Sequence, residues 1–486
     1  MPVGQQFQRR AAVVPGLGLG LSVDVYSPDL FDLMSRFEGR ASQPAYLEIF
    51  RATTTALRAV RHHLAGMPLT YHGEGLWITQ PNFSAGPFLD EELNEVASQL
   101  NVLTSPWLNH ECATKQMGGY AFGTYLPPLY TVESAKLVAA NIALVQARLD
   151  RSRRPADAYG PLFLLEMPPL TYFMAGTIGV GQYFRLVTEQ TPCGLVLDIG
   201  HLWTVYRYST AKRQSSLEQF VEHFLDEFPM ERVIEIHVAG LAAHEAQASL
   251  EDCHSEWIDA HAAPIPEVSW ALLERVLGHP RLRNLRGVAL EVDTKPVGLI
   301  LEEFSKAFAL VGRTVDRLLR KTPACEAVFE PLEVDGRTHA ADIDRSGLEA
   351  DYVRYARIVS GQQPPAGPPW QAAAEEPSGL DRYVRAYLPY EILHWGGELT
   401  DMFPDTCKGL SEAGVLLDEF VPWWFHKSRA ADRPYDFFLL KIDRLLEFVA
   451  ERAPGLLGLA RREAEQLRVA YEEASAGGRL LLEPSR

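Results

Sequence analysis

Side chains able to bind metal or carry protons recur at the ends of short apolar runs in this chain. In "GLVLDIGHLW" (194–203), Leu195, Val196 and Leu197 have the continuous hydrophobicity of a strand covered on both faces, and Asp198 and His201 follow at once. A strand end meeting water would account for one such pair, but the pattern repeats. Other runs end near Glu48, at His72, at His110 and Glu111, at Glu166, at His237, and at Glu291 and Asp293. The stretch "CHSEWIDAH" (253–261) adds His254, Asp259 and His261. Many carboxylates gathered in a partly buried place without cations would be costly, and binding metal is the simplest way to neutralise them. Imidazole and carboxylate donors without thiolate suit Fe, Mn or Zn better than Cu(I) or an iron–sulfur cluster. There are more donors than one ion can hold, which favours roughly two or three ions bridged by carboxylates, with Glu166 as the bridging candidate.

For these donors to meet, their strands must end on one face. Eight apolar runs of strand character lie at 18–23, 45–50, 68–73, 105–111, 162–168, 194–200, 233–240 and 287–293. The segments 134–149, 216–228 and 266–277 between them have apolar residues at helical spacing, and Pro266 suits a first helical turn. This is the element count of an α/β (β/α)8 TIM barrel, whose strands present their C-terminal ends on one catalytic rim. Residues 297–321 read as a closing helix, giving a barrel domain at 1–322. A connecting segment follows at 323–379, and its portion 360–379, rich in Pro, Gly and Ala, reads as a linker. Beyond it "VLLDEFVPWWFHK" (415–427) and "YDFFLLKIDRLLEFVAERA" (435–453) predict a small all-α domain at 380–486. Neither part contains an internal repeat.

With 63 Asp and Glu against 46 Lys and Arg, the formal net charge is −17, which disfavours nucleic acid as a partner. Hydrophobic residues at 47% and charged residues at 22% fit an ordinary folded protein. Cys112, Cys193, Cys253, Cys325 and Cys407 are scattered and form no CxxC pair, so neither a disulfide framework nor a thiolate zinc site is expected. The N-terminal segment, broken by Pro15 and several glycines, lacks a signal-peptide pattern, and no window has the length of a membrane span. The expectation is a cytoplasmic protein with no membrane partner. His62, His63 and His223 fall on surface helices, and His244 and His254 in loops. His339, His394 and His426 have no ligand partner near them in sequence. Trp77, Trp107, Trp203 and Trp257 lie beside the donors and read as packing for the barrel mouth.

Eight segments together resemble the DUF692 family of TIM-barrel multinuclear iron enzymes, which includes the methanobactin- and 3-thiaglutamate-biosynthesis oxidases. They are "YLEIF" (46–50), "YHGEGLWI" (71–78), "LNHE" (108–111), "LLEMPP" (164–169), "LVLDIGH" (195–201), "EIHVAG" (235–240), "IDAHAAPIPEVSWALLERVL" (258–277) and "ALEVD" (289–293). The pair formed by the sixth and seventh is the most specific, and the resemblance covers the barrel and not the C-terminal part. It implies iron ligation by His72, His110, Glu166, Asp198, His237, Asp259, His261 and Glu291, with His201 at a position often Asn. Glu166, Asp198 and His237 are then read as catalytic. Met167 stands where the family usually has Asn, and Leu241 replaces a His, so the ion count and surroundings can differ here.

The resemblance further implies a mixed-valent Fe(II)/Fe(III) cluster of two or three ions that uses O2 to modify a residue, frequently Cys, of a ribosomally synthesised precursor peptide. Family members commonly work with a partner protein that engages the peptide leader. Here the C-terminal domain is the candidate for that task, with the aromatics of "VPWWFHK" (421–427) as leader anchors or as its own core. The alternative enzyme reading is a divalent-metal sugar isomerase or epimerase of the xylose-isomerase-like barrel type, with Lys295 as the lysine nearest the donors. A trinuclear zinc endonuclease is disfavoured by charge, and a non-catalytic scaffold by the number of donors.

Overall fold

The computed structural model describes residues 1–152, 159–244, 256–320, 343–365, 377–428 and 437–477. Its twelve strands are, in order, β1 (Gly18–Val23), β2 (Leu47–Phe50), β3 (Leu69–Gly73), β4 (Trp107–Glu111), β5 (Thr114–Met117), β6 (Tyr120–Leu126), β7 (Leu162–Glu166), β8 (Gly194–Asp198), β9 (Val233–Val238), β10 (Leu241–Ala243), β11 (Trp257–Asp259) and β12 (Gly287–Glu291). Eight of them close into a parallel barrel in the order β1-β12-β9-β8-β7-β4-β3-β2, and these eight are the runs expected from the sequence. The fold is a TIM barrel surrounded by helices and followed by a helical C-terminal region. The remaining strands form two antiparallel hairpins on the rim, β5-β6 directly after β4 and β10-β11 after β9. Neither hairpin is among the strands expected from the sequence.

Every residue of β1, β3, β4, β7, β8, β9 and β12 is buried, as expected for strands covered by helices outside and side chains inside. The lower interior is apolar: Trp107, Leu162, Leu164, Val196, Ile234 and Ala289 pack with Tyr46 and with Phe7, Ala11 and Val14 of the helix Val3–Val13 and its end. That helix plugs the end of the barrel opposite the rim and is pinned by a two-pronged Arg10–Asp150 pair at 2.9 and 2.6 Å. Burying each large apolar side chain there contributes about 1.5–3 kcal/mol. Tyr46 has room only because its neighbours lack side chains, for a Cβ at Gly20 or Gly287 would lie 2.5 Å from its ring or hydroxyl. Above this apolar floor the inward positions become acidic and imidazole-bearing.

Of the segment read as a connection and linker, residues 321–342 and 366–376 lie outside the described residues. Within 323–379, residues Arg345–Val359 form a helix whose Leu348, Tyr352, Tyr355, Ile358 and Val359 are buried. The Tyr352 hydroxyl accepts the Leu129 N–H at 3.3 Å and bonds Ser134 at 3.0 Å, so this helix is built onto the barrel. Further on, Trp423, Trp424 and Phe425 are buried, and Trp424 Nε1 donates to the Ala121 carbonyl at 2.9 Å. The aromatics of 421–427 are therefore core, anchored on β6, and are not exposed for a leader peptide. One continuous apolar cluster runs from the barrel's outer face into Phe420, Leu445 and Phe448 of the C-terminal helices. No helix among the described residues is long and apolar enough to cross a membrane.

Candidate metal centre

Strand alternation decides which donors face the barrel axis. On β4, Asn109 and Glu111 share a face, and β7 presents Glu166 beside Glu111 in register. On β8 and β9, Asp198 lies beside His237. Asp198 is also the N-cap of the helix Ile199–Tyr208, its Oδ1 accepting the His201 N–H at 2.6 Å. The Asp-x-x-His spacing thus folds His201 back over the strand end. His201 Nδ1 then donates to the Met167 carbonyl at 2.6 Å, leaving Nε2 toward the acids.

Glu166, Asp198, His237 and Glu291 each offer one donor atom, and these atoms all lie within 4.8 Å of one another. Glu166 is central: Oε1 is 3.2 Å from His237 Nδ1, and Oε2 is 3.2 Å from His72 Nε2 and accepts Asn109 Nδ2 at 2.8 Å. His237 Nδ1 is also 3.1 Å from Glu291 Oε1. Glu291 Oε2 extends the group to His261 Nε2 at 3.3 Å, and the same nitrogen is 3.1 Å from Asp259 Oδ2. Asp259 Oδ2 is 3.5 Å from His201 Nε2, which is 3.7 Å from Asp198 Oδ1. Eight of the nine expected ligands are therefore linked: His72, Glu166, Asp198, His201, His237, Asp259, His261 and Glu291. The hairpin β10-β11 supplies Asp259 at the end of its second strand.

His110 is the exception. Alternation places it on the face of β4 opposite Asn109 and Glu111, stacked near Phe163 with ring centres 6.4 Å apart. Its Nε2 accepts the Leu76 N–H at 3.0 Å and its Nδ1 donates to the Glu111 carbonyl at 2.9 Å, so both nitrogens are engaged away from the cluster. Lys295, offered for the isomerase reading, points at Glu303 at 2.7 Å and not at these donors. His254 lies outside the described residues. Glu48, noted at a strand end but not assigned, is 2.9 Å from His237 Nε2. Glu235, Asn109 and Glu111 were not assigned, although each sits two residues from an expected donor or its strand neighbour and shares its face.

The electrostatics are those of a site completed by cations. Burial alone would depress His72, yet the hydrogen bond and charge of Glu166, with Glu48, push it up to about 10. Burial also opposes protonation of His201, His237 and His261, but the surrounding carboxylates raise all three well above the ordinary imidazole value. Burial, reinforced by Glu166, lifts Glu111 to about 8, and burial with Glu291 and Asp259 lifts Asp198 to about 7. By contrast burial lowers His110 to about 4. Asp198 Oδ2, His201 Nε2, Asp259 Oδ1, Glu111 Oε2 and Glu291 Oε2 are buried without a hydrogen-bond partner. Buried polar atoms left without partners are costly, and coordinated ions would satisfy them. The residues present fit a group of metal ions.

The sequence profile of the RiPP precursor modification enzymes MbnB/TglH/ChrH matches residues 31–311, the span that carries all these donors. The chain belongs to this family. RiPPs are ribosomally synthesised, post-translationally modified peptides. Curated relatives include a UPF0276 protein of Paraburkholderia phytofirmans, 31% identical over 45% of this chain and 62% of that protein. A UPF0276 protein of Caulobacter vibrioides is 28% identical over 35% of this chain and 52% of its own length. The chain thus spans between about half and three fifths of those relatives. Among solved structures, endonuclease IV from Thermus thermophilus covers 62% of this chain and 99% of its own, at 16% identity and a TM-score of 0.37. D-psicose 3-epimerase from Clostridium cellulolyticum covers 70% of this chain and 98% of its own, at 12% identity and a TM-score of 0.34.

Proposed function

We propose that this family member is a multinuclear non-haem iron oxidase that uses O2 to modify a residue, a Cys, of a ribosomally synthesised precursor peptide. The observation that carries the reading is the rim cluster of four imidazoles and five or more carboxylates, with unpartnered donor atoms turned toward one another. Glu166, whose two oxygens face different histidines, is the group to bridge two ions. Asp198, His237 and Glu291 complete its surroundings on one side, and His201, Asp259 and His261 on the other. Iron bound there would supply a place for O2, a place for the substrate thiolate and the electrons that link them.

The remaining work belongs to the chain. Asn109 fixes the Glu166 carboxylate by a 2.8 Å hydrogen bond. Glu111, next to Glu166 in register, has an unpartnered Oε2 where a proton from the substrate can be held. The rim hairpins and the C-terminal helices packed on them exclude water and bound the peptide's approach. A separate partner protein remains part of the proposal, because the aromatic segment read as a leader anchor is spent on packing.

The test is anaerobic reconstitution with Fe(II), metal analysis, and O2 uptake with a Cys-containing precursor peptide followed by mass spectrometry of the product. About two or three irons per chain with peptide-dependent uptake is the expected result. Manganese or magnesium retention with no uptake would transfer the assignment to sugar isomerisation, and absence of any transition metal would end the metal-centre reading.

A further inference from the structure

His261 lies in the turn after β11 and not on a barrel strand, so its ring must be oriented by something other than strand register. Its Nε2 faces the cluster, 3.1 Å from Asp259 Oδ2 and 3.3 Å from Glu291 Oε2. Its Nδ1 turns away and donates to Asp293 Oδ2 at 3.2 Å. Asp293 is itself held, because its Oδ1 accepts the Asp24 N–H at 2.9 Å. One carboxylate thus joins the end of β1 to the imidazole. The backbone on either side of Asp293 is tied to the same place, the Val292 N–H to the Ser22 carbonyl at 3.1 Å and the Thr294 N–H to the Ser27 carbonyl at 2.8 Å. A second link joins the segment after β12 to the turn that carries His261: Glu303 takes Lys295 Nζ through one oxygen at 2.7 Å and the Ile265 N–H through the other at 2.6 Å. The outward nitrogens of His72 and His201 meet the Gly73 and Met167 carbonyls at 3.1 and 2.6 Å. Those acceptors are neutral main chain, whereas the acceptor for His261 is a charged side chain.

We propose that Asp293 is a positioning residue: it keeps the His261 proton on Nδ1, so that Nε2 is the nitrogen offered to an ion shared with Asp259 and Glu291. This rests on the metal-centre reading above and adds which residue orients the ligand that no barrel strand carries. The hydrogen bond on one imidazole nitrogen decides which nitrogen is left for metal. A ligating histidine held by a carboxylate in this way is more basic and is locked in ring orientation, and losing such a partner lowers metal affinity by about 10–100-fold. The side chains of His261 and Asp293 are 25% and 29% exposed, so trimming Asp293 opens no buried cavity and the metal-free fold should stand. Asp293 follows Glu291 by the two-residue period of a strand, which sets it on the same side of the chain as a residue of the cluster.

The experiment is titration of the full-length metal-free protein with Zn(II), and anaerobically with Fe(II), for wild type, Asp293→Asn, Asp293→Ala, His261→Ala and the double variant His261→Ala with Asp293→Ala. Melting temperature is measured without metal. The expected result for Asp293→Ala is about 10–100-fold weaker binding of one ion, with the other ions and the metal-free melting temperature at wild-type values. Asp293→Asn, which keeps an acceptor oxygen but not the charge, recovers part of the affinity. Once His261 is gone, removing Asp293 should cost no further affinity, because its effect passes through that ring. Mössbauer spectra of iron-loaded Asp293→Asn at full occupancy should show one altered iron, which a merely structural role would not produce. Wild-type affinity and spectra in both Asp293 variants overturn the proposal while leaving the metal centre standing. A loss of the same size with and without His261, or one spread over all ions alongside a lowered melting temperature, overturns it in favour of a backbone tie between β1 and β12. A wild-type protein that binds neither metal overturns the metal-centre reading and this proposal with it.

Discussion

Metal binding to this protein should be a proton-releasing reaction, and the number released is set by the histidines that reach the cluster. His72, His201, His237 and His261 do so, and in the metal-free protein all are held above the ordinary imidazole value, His72 at about 10. At about pH 7.5 each ring therefore carries both its protons. Coordination needs a ring nitrogen with its lone pair free, so each ligating imidazole must lose one. Filling the centre should expel about four protons, plus a part from Glu111 at about 8 and a smaller part from Asp198 at about 7. By linkage the apparent affinity then rises about ten-fold per pH unit for every proton released, or about four orders of magnitude from about pH 6.5 to 7.5 at full release. The assay is calorimetric titration with Zn(II) in buffers of different ionisation enthalpy, whose slope counts protons directly. His110 supplies an internal contrast: lowered to about 4, it is already neutral and contributes nothing. Metal bound with release below about one proton per chain would refute the assignment of these four rings as ligands.

Glu166→Gln keeps the shape but removes the central charge, and should weaken metal binding by at least about 100-fold, beyond the loss usual for an outer partner, as read by metal analysis after dialysis. His110→Ala should leave the metal content at the wild-type value yet destabilise the protein by about 1–3 kcal/mol in urea, because the buried Leu76 N–H loses its acceptor. Trp424→Ala should cost about 3–5 kcal/mol, and calorimetry of the wild type should show barrel and C-terminal helices melting in one transition, since their apolar cores are continuous. For the metal-free protein, the raised His72 contributes stability that is complete below pH 6.5 and lost as pH climbs toward about 10, and the raised Glu111 acts the same way from pH 4.5 to about 8. Glu48, held down to about 2 against its burial by His237, contributes stability that is present above pH 4.5 and lost only in strong acid. Thermal scans without metal should therefore peak near about pH 5–6 and fall by about pH 9, and saturation with Zn(II) should flatten that fall.

Much of the barrel was legible because buried parallel strands are continuous apolar runs, and a polar donor at the end of each is conspicuous against them. The inward set was harder to read where two donors are adjacent. In "LNHE" both His110 and Glu111 can bind metal, and only the pairing of Glu111 with Glu166 across β4 and β7 shows which one faces the axis. Glu235 carried a usable signal, for it precedes His237 by the two-residue period of a strand and must share its face. The helix Arg345–Val359 was missed although its buried Leu348, Tyr352, Tyr355 and Val359 recur at intervals of four, three and four residues, the spacing of one helical face. The aromatic run 421–427 shows the limit from the other side: Trp and Phe at helical spacing serve a core or an interface equally well, and the partner that decides, the Ala121 carbonyl, is some three hundred positions away.

The hairpin β10-β11 ties the helical C-terminal region to the chemistry of the rim. His244, just after β10, bonds Glu391 at 2.9 Å, and Glu256, just before β11, pairs with Arg382 at 2.6 Å, so the segment carrying Asp259 is clamped by residues synthesised more than a hundred positions later. A nascent barrel still lacking those helices would present its ion pocket with one jaw loose. Loading thereby depends on residues 382 and 391, and Arg382→Ala with Glu391→Ala should lower metal occupancy while the shared apolar core stays intact.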